Sequence, residues 1–394
     1  WENMITQMDK AKFPILNANI FIQETGEPVW NNPYIIIKKG KLNIGVIGLH
    51  GKFAFYDTIN FRMIKGVEAR DENIYLEKHL AVLKDQVDMI VVVIHHGMPG
   101  RQSSIGKTDV MRRLNSDVEL AQRFPEINVI VSGHAHTGTP DAVKVNDTLI
   151  VSTNAYTTEL GKLEISFDKQ SKKVISHNNQ LLTIFDDEVE DDKRMSEVVE
   201  YWQKEVESIA SEKISYTASN LTRAYGRESN MGNLFADAME DYDDAIDFAV
   251  VNSGALRQDI KKGNVSFGDL ISAFPFPNTL VSTKLTGSQI KEIFNHAAGL
   301  SNGILQVSKS FKYSFSPESH VINMWFKGKK IEENQLYNVA SSSFVTDGGD
   351  GYLVFKDGLE TKDTGINIYE VVKGYLANKK TFTAQIEGRI IEEI

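Results

Sequence analysis

Two short runs rich in β-branched residues, DMIVVVIHHG (88–97) and INVIVSGHAH (127–136), restrict the fold of this chain more than any other feature. Near-continuous apolar runs of this kind read as buried strands. LNIGVIGLHG (42–51), TLIVSTN (148–154) and GKLEISFD (161–168) add further strands. Between them, DENIYLEKHLAVLKDQV (71–87) has helical spacing, with Asp71 placed to cap it. DVELAQRFP (117–125) is a short helix stopped at Pro125. Strands and helices in this order predict a layered α/β domain.

Residues 186–214 are highly charged, and Met195, Val198, Val199, Trp202, Val206 and Ile209 fall near helical spacing. This stretch reads as a linker helix with one packed face. The expected organisation is a first domain over 1–185, the linker over 186–214 and a second α/β domain over 215–394. In the second domain 230–242 and 286–300 read as helices, and 247–255, 280–287, 321–328 and 337–344 as strands.

The 394 residues suffice for two cores. A net charge of −10 argues against binding polymeric nucleic acid or an anionic membrane. No apolar stretch is long enough to span a bilayer. The chain has no cysteine, so any metal would be held by His, Asp, Asn or Glu.

Of the nine histidines, His95, His134 and His136 follow β-branched runs and sit beside glycine or within a glycine-flanked turn. Neutral imidazole at a strand end suits a divalent ion such as Zn²⁺ or Mn²⁺. An isolated His-x-His is more often a pair of polar loop histidines bonded to backbone than a pair of ligands. His50 also ends a strand but is assigned no role, and His96 reads as a loop histidine. His79, His177, His296 and His320 read as surface or packing residues on helices or irregular stretches.

Four motifs follow the linker: RAYGRESNMGNLFADAM (223–239), VNSGALR (251–257), FPFPNT (274–279) and SSSFVTDGGDGY (341–352). In this order, and after VVVIHHG and VIVSGHAH, they resemble the 5'-nucleotidase family, in which a calcineurin-like metallophosphoesterase domain precedes a substrate-binding domain. The resemblance implies an α/β first domain of two-sheet sandwich type, incomplete here, and a separate α/β substrate-binding domain. It implies metal ligation by His95, His134 and His136, and a base clamp from Phe276 and Phe344. It further implies ribose binding by Asp350, phosphate binding by Arg223, Arg227 and Arg257, and substrate positioning by Asn252 and Asn278. Isolated, each has a plainer reading as core ring, turn, surface pair or helix cap; Ser229 or Asn230 would be such a cap.

The family's early Asp-x-His and Gly-Asn-His-Glu motifs do not occur in this sequence, no Gly-Asp occurs before residue 268, and WENMITQMDKAKFPILNANI (1–20) resembles the segment that follows the last of these motifs. The expectation is therefore a C-terminal portion of a longer enzyme, inactive alone, with its catalytic histidine upstream of Trp1. The intact enzyme would use two divalent ions, partly or wholly missing from this chain. The implied reaction is hydrolysis of a nucleoside 5'-monophosphate in the periplasm or at the cell surface. The alternatives are 2',3'-cyclic phosphodiesterase/3'-nucleotidase or UDP-sugar hydrolase activity, and a non-catalytic nucleoside-binding surface module.

Overall fold

The computed structural model describes residues 2–97, 116–185, 187–300, 303–316 and 320–393. The chain divides into two compact units, Trp1–Val189 and Glu190–Ile394.

The first unit runs α1 (Glu2–Met8), β1 (Ile20–Ile22), β2 (Tyr34–Lys39), β3 (Leu42–His50), α2 (Lys52–Thr58), β4 (Val67–Ala69), α3 (Glu72–Leu83) and β5 (Met89–His95). It continues with α4 (Asp117–Arg123), β6 (Val129–Gly133), β7 (Val143–Val145), β8 (Thr148–Val151), β9 (Glu159–Asp168) and β10 (Lys173–Thr183). Its main sheet has six strands in the order β2-β3-β5-β6-β8-β7, and β9 and β10 form a separate hairpin. The centre of the sheet, β3-β5-β6-β8, is parallel.

One face of that sheet carries Ile47, Leu49, Ile90, Val92, Ile94, Ile130 and Ile150 into a core shared with Leu76, Leu80 and Leu83 of α3 and Leu120 and Ala121 of α4. Asp71 caps α3, its side chain accepting from Asn73 N at 2.9 Å. Ser116 and Glu119 close a reciprocal capping box on α4. The other face is more open: Val93 and Val131, paired across β5 and β6, are 44% and 40% exposed. The apolar run that read as a strand buried on both faces is therefore buried on one. Residues 98–115 lie outside the described residues.

The second unit comprises α5 (Lys193–Ala210), β11 (Lys213–Thr217), α6 (Asn230–Glu240), β12 (Phe248–Asn252), β13 (Gly263–Ser266), α7 (Phe267–Ala273), β14 (Thr279–Thr286) and α8 (Gly287–Ala298). It continues with β15 (Leu305–Val307), β16 (Phe311–Ser316), β17 (His320–Phe326), β18 (Lys329–Lys330), β19 (Leu336–Ser342), α9 (Ser343–Thr346), β20 (Leu359–Asn367), α10 (Ile368–Ala377) and β21 (Ile390–Glu392). A five-stranded sheet, β15-β12-β19-β14-β20, is accompanied by a four-stranded sheet, β18-β17-β16-β21. Helices α6, α7 and α10 cover one face through Phe235, Met239, Leu270, Val372 and Leu376. Arg389, near the C-terminus, makes a two-pronged bond to Asp237 of α6 at 2.6 and 2.9 Å.

Two expectations change. Helix α5 buries none of its residues, and Trp202 and Ile209 are more than half exposed. Within its unit it meets α7, where Ala210 lies against Gly268, so its predicted packed face is open. His177 lies on strand β10 and His320 begins strand β17, rather than on helices or irregular stretches.

The two faces of β5 separate the outcomes of truncation. Ile94→Ala should cost about 2–5 kcal/mol, whereas Val93→Ala should cost under about 1 kcal/mol. Native-state hydrogen exchange of the β3, β5 and β6 amides measures both within the first unit.

Candidate functional site

In the first unit, the parallel register of β3, β5 and β6 sets His50 beside His95 and His95 beside Gly133. His134 follows one residue later. The ring centroids of His50 and His95 are 5.2 Å apart, and those of His95 and His134 4.9 Å. His134 Nδ1 lies 3.1 Å from His95 Nε2. His136 stands beyond them, exposed, with its ring 5.6 Å from that of Tyr156.

His134 and His136 both have positive φ, at 92° and 53°. Left-handed backbone at a non-glycine residue costs of order 1–3 kcal/mol and concentrates at functional sites. The turn accepts this twice, and thereby brings His134 back over the end of β5.

The imidazoles are held neutral. Desolvation, followed by repulsion from His95, lowers His134 to about 3. His95 keeps an exposed edge, yet desolvation and the neighbouring His50 and His136 lower it to about 4. His50 is lowered too, chiefly by burial, while its Nδ1 donates to the Gly51 carbonyl at 3.0 Å. Neutral rings offer lone pairs to a metal without first losing a proton. Two nitrogens on one tetrahedral ion at 2.0–2.1 Å lie about 3.3 Å apart. The 3.1 Å separation of His134 Nδ1 and His95 Nε2 fits that arrangement, as it fits a single N–H···N bond. His134 Nε2 is buried without a partner. These rings fit as nitrogen donors for one ion. Among the described residues no group of three or more His, Asp or Glu side chains is placed to enclose it.

Two residues left aside in the sequence belong here. His50 joins the cluster; its signal was the same strand-then-glycine context as His95. His96 does follow β5 in loop backbone, but it is buried. It is 2% exposed, with Nδ1 3.1 Å from Asp117 Oδ1 and Nε2 3.6 Å from Glu72 Oε1. Its partners open two different helices, a juxtaposition that no local pattern announces.

In the second unit the motif residues collect at one end of the five-stranded sheet. Asn252 ends β12, the segment 343–350 follows β19, and Asn278 precedes β14, which runs antiparallel to β19. Asn252 Nδ2 donates to Asp350 Oδ2 at 3.0 Å, and both residues are buried. Asp350 has φ 52°, and its carbonyl accepts from His296 Nε2 at 2.8 Å. The His296 ring also packs edge-on to Tyr352 at 5.0 Å. His296, assigned only to surface or packing, thus supports the strained backbone of Asp350. Phe344 lies flat against Gly349, where an added Cβ would stand 2.5 Å from the ring, so only glycine allows this approach.

Phe276 is half-buried, edge-on to Phe274 at 5.9 Å, with the Arg257 guanidinium 5.3 Å from its ring centre. Arg223 bonds the Tyr225 hydroxyl at 2.9 Å and lies 3.7 Å from Asp259. Arg227 is exposed. Asn278 is buried, and Ser229, not Asn230, caps α6. Among the described residues four buried polar atoms of the motifs have no hydrogen-bond partner: Asn233 Oδ1 on α6, and Asn252 Oδ1, Arg257 Nε and Tyr352 Oη. Burial holds the Tyr352 phenol far above its usual range, so it stays protonated. Unpaired buried groups of both donor and acceptor type are what a polar ligand would satisfy.

Comparison with known proteins agrees with this division. Residues 9–138 match the family model described as calcineurin-like phosphoesterase, and residues 208–357 match that of the 5'-nucleotidase, C-terminal domain. The trifunctional nucleotide phosphoesterase protein YfkN of Bacillus subtilis is 31% identical over 71% of this chain, which spans 21% of that protein. The 5'-nucleotidase of Rattus norvegicus is 25% identical over 96% of this chain and 72% of its own length. Among solved structures, a 5'-nucleotidase precursor from Thermus thermophilus superposes with a TM-score of 0.83 at 26% identity, covering 98% of this chain and 79% of that one. With a calcineurin-like phosphoesterase domain followed by a 5'-nucleotidase C-terminal domain, the chain belongs to the 5'-nucleotidase family.

Proposed function

We propose that this chain serves metal-dependent hydrolysis of nucleotide phosphate esters, with a nucleoside 5'-monophosphate as substrate. Calcineurin-like phosphoesterases and 5'-nucleotidases use divalent metals. In this reading His95, His134 and His136 are nitrogen ligands and His50 completes the wall of the cluster. A bound ion would polarise the phosphoryl oxygens and activate water. The second unit recognises the nucleoside: Phe276 and Phe344 stack on the base, and Asp350, oriented by Asn252 and His296, accepts from the ribose hydroxyls. Arg257, with Arg223 and Arg227, supplies forked donors to phosphate, and Asn278 positions the substrate.

The observation that carries this reading is the presence of unpaired buried groups on Asn252 (Oδ1), Tyr352 (Oη) and Arg257 (Nε), three of the four such atoms on the motif residues among the described residues. A core built for stability alone would pair or remove them. Stacking surface beside donors and acceptors matches the mixed chemistry of a nucleoside.

Calorimetric titration with adenosine and with AMP tests recognition. Phe276→Ala and Phe344→Ala should each weaken binding by roughly 1–3 kcal/mol, and a chelator should leave adenosine binding unchanged. Adenosine binding that survives both truncations would refute the base clamp.

Turnover is tested on the full product of the gene with AMP, 3'-AMP, cyclic AMP and UDP-glucose. AMP should be the preferred substrate and chelation should abolish hydrolysis. Preference for another member of the panel replaces the substrate, and binding without turnover replaces the enzyme with a nucleoside-binding module. Among the described residues no group of three or more His, Asp or Glu side chains is placed to enclose an ion, so the 394-residue chain alone should show little or no turnover. Robust metal-dependent hydrolysis by it would overturn that expectation.

A further inference from the structure

Beneath the histidine cluster, a buried polar chain joins the three strand ends that carry it. His96 follows His95 and is enclosed between two carboxylates. Asp117, the first residue of α4, is fully buried. Its Oδ1 lies 3.1 Å from His96 Nδ1, and its Oδ2 accepts a hydrogen bond from Ser132 Oγ, two residues before His134. Glu72, the first residue of α3, is 3% exposed. Its Oε1 faces His96 Nε2, and its Oε2 accepts from Lys52 N at 3.0 Å, two residues past His50. Asp117 thus spans the ends of β5 and β6, and Glu72 those of β5 and β3. Gly51 makes room for the bridge: a Cβ there would stand 2.5 Å from His96 Cδ2.

Burying two carboxylates and an imidazole under an apolar sheet is a poor route to stability. Well-packed apolar side chains of similar volume serve as well or better. What a buried polar network supplies is fixed geometry, here through the close Asp117 contacts, while Glu72 faces His96 at 3.6 Å. We infer that Asp117 is a positioning residue which, through His96 on one side and Ser132 on the other, sets the separation of His95 and His134. Glu72 holds His96 from behind and ties the same frame to His50. This inference rests on the reading of His95 and His134 as metal ligands. It goes beyond that reading in assigning their spacing to side chains that touch no metal.

The test uses the 394-residue chain, ¹⁵N-labelled at histidine, with Zn²⁺ as probe. In the metal-free wild type, the imidazole ¹⁵N spectrum should carry the signature of the close His95–His134 pair. Ser132→Ala cuts one arm of the bridge, Ser132→Thr keeps the hydroxyl, and Asp117→Asn alters its centre. Ser132→Ala and Asp117→Asn should move the His95 and His134 resonances towards those of separate imidazoles and weaken Zn²⁺ binding about tenfold or more. Far-UV circular dichroism should stay unchanged, and Ser132→Thr should behave as wild type. Unmoved resonances in folded Ser132→Ala overturn the proposal, whatever Zn²⁺ does. Resonances that move, with no Zn²⁺ binding at His95 and His134 even in wild type, uphold the bridge and remove the metal reading. If Asp117→Asn does not fold, Ser132→Ala decides alone.

Discussion

The parallel register of β3, β5 and β6 is the constraint on which the first unit depends. It places the last residues of three strands side by side, so that His50, His95 and the turn carrying His134 meet at one edge. Parallel strands end together on one side of a sheet, and open α/β sheets present their ligand sites there. The helices that cover one face, α3 and α4, also begin at that edge and bring Glu72 and Asp117 with them. Packing and site are therefore one construction. The core of Leu76, Leu80, Val92 and Leu120 fixes the helices, and the helix starts fix the carboxylates beneath the histidines.

The second unit repeats the principle with different chemistry. Asn252 and the segment after β19 sit at one end of the five-stranded sheet because β12 and β19 are parallel, and β14 brings Asn278 to the same end by running antiparallel. Asp350 is held in left-handed backbone by its place between glycines and by the bond from His296. The strain at Asp350 and the unpaired atoms of Asn252 and Tyr352 belong to the same small region. Local strain and unpaired polar atoms cost stability in this region, and the surrounding cores offset the loss.

Much of this was legible in the sequence because it depends on local pattern. The runs at 88–97 and 127–136 form strands, Asp71 caps α3, and 117–123 is a helix. The strand-then-glycine context singled out His95, His134 and His136; the first two meet, His136 stands exposed against Tyr156, and applied evenly the same context would have singled out His50. The α5 stripe was read correctly as helical but not in its packing. Periodicity states which residues share a face, not what covers it. His96 and His296 escaped because their partners lie far away in sequence: Asp117 for the first, and the Asp350 carbonyl for the second.

The sequence by itself determined the two α/β units, the family and the residue types at the strand ends, because apolar periodicity and motif order are written along the chain. Only the tertiary structure decided which of nine histidines share a site and which stand apart. It also decided that His96 is a buried strut and that Asp350 is braced by Asn252 and His296. The physical reason is register: hydrogen bonding between strands aligns residues that sequence separation keeps apart, and no local pattern encodes that alignment.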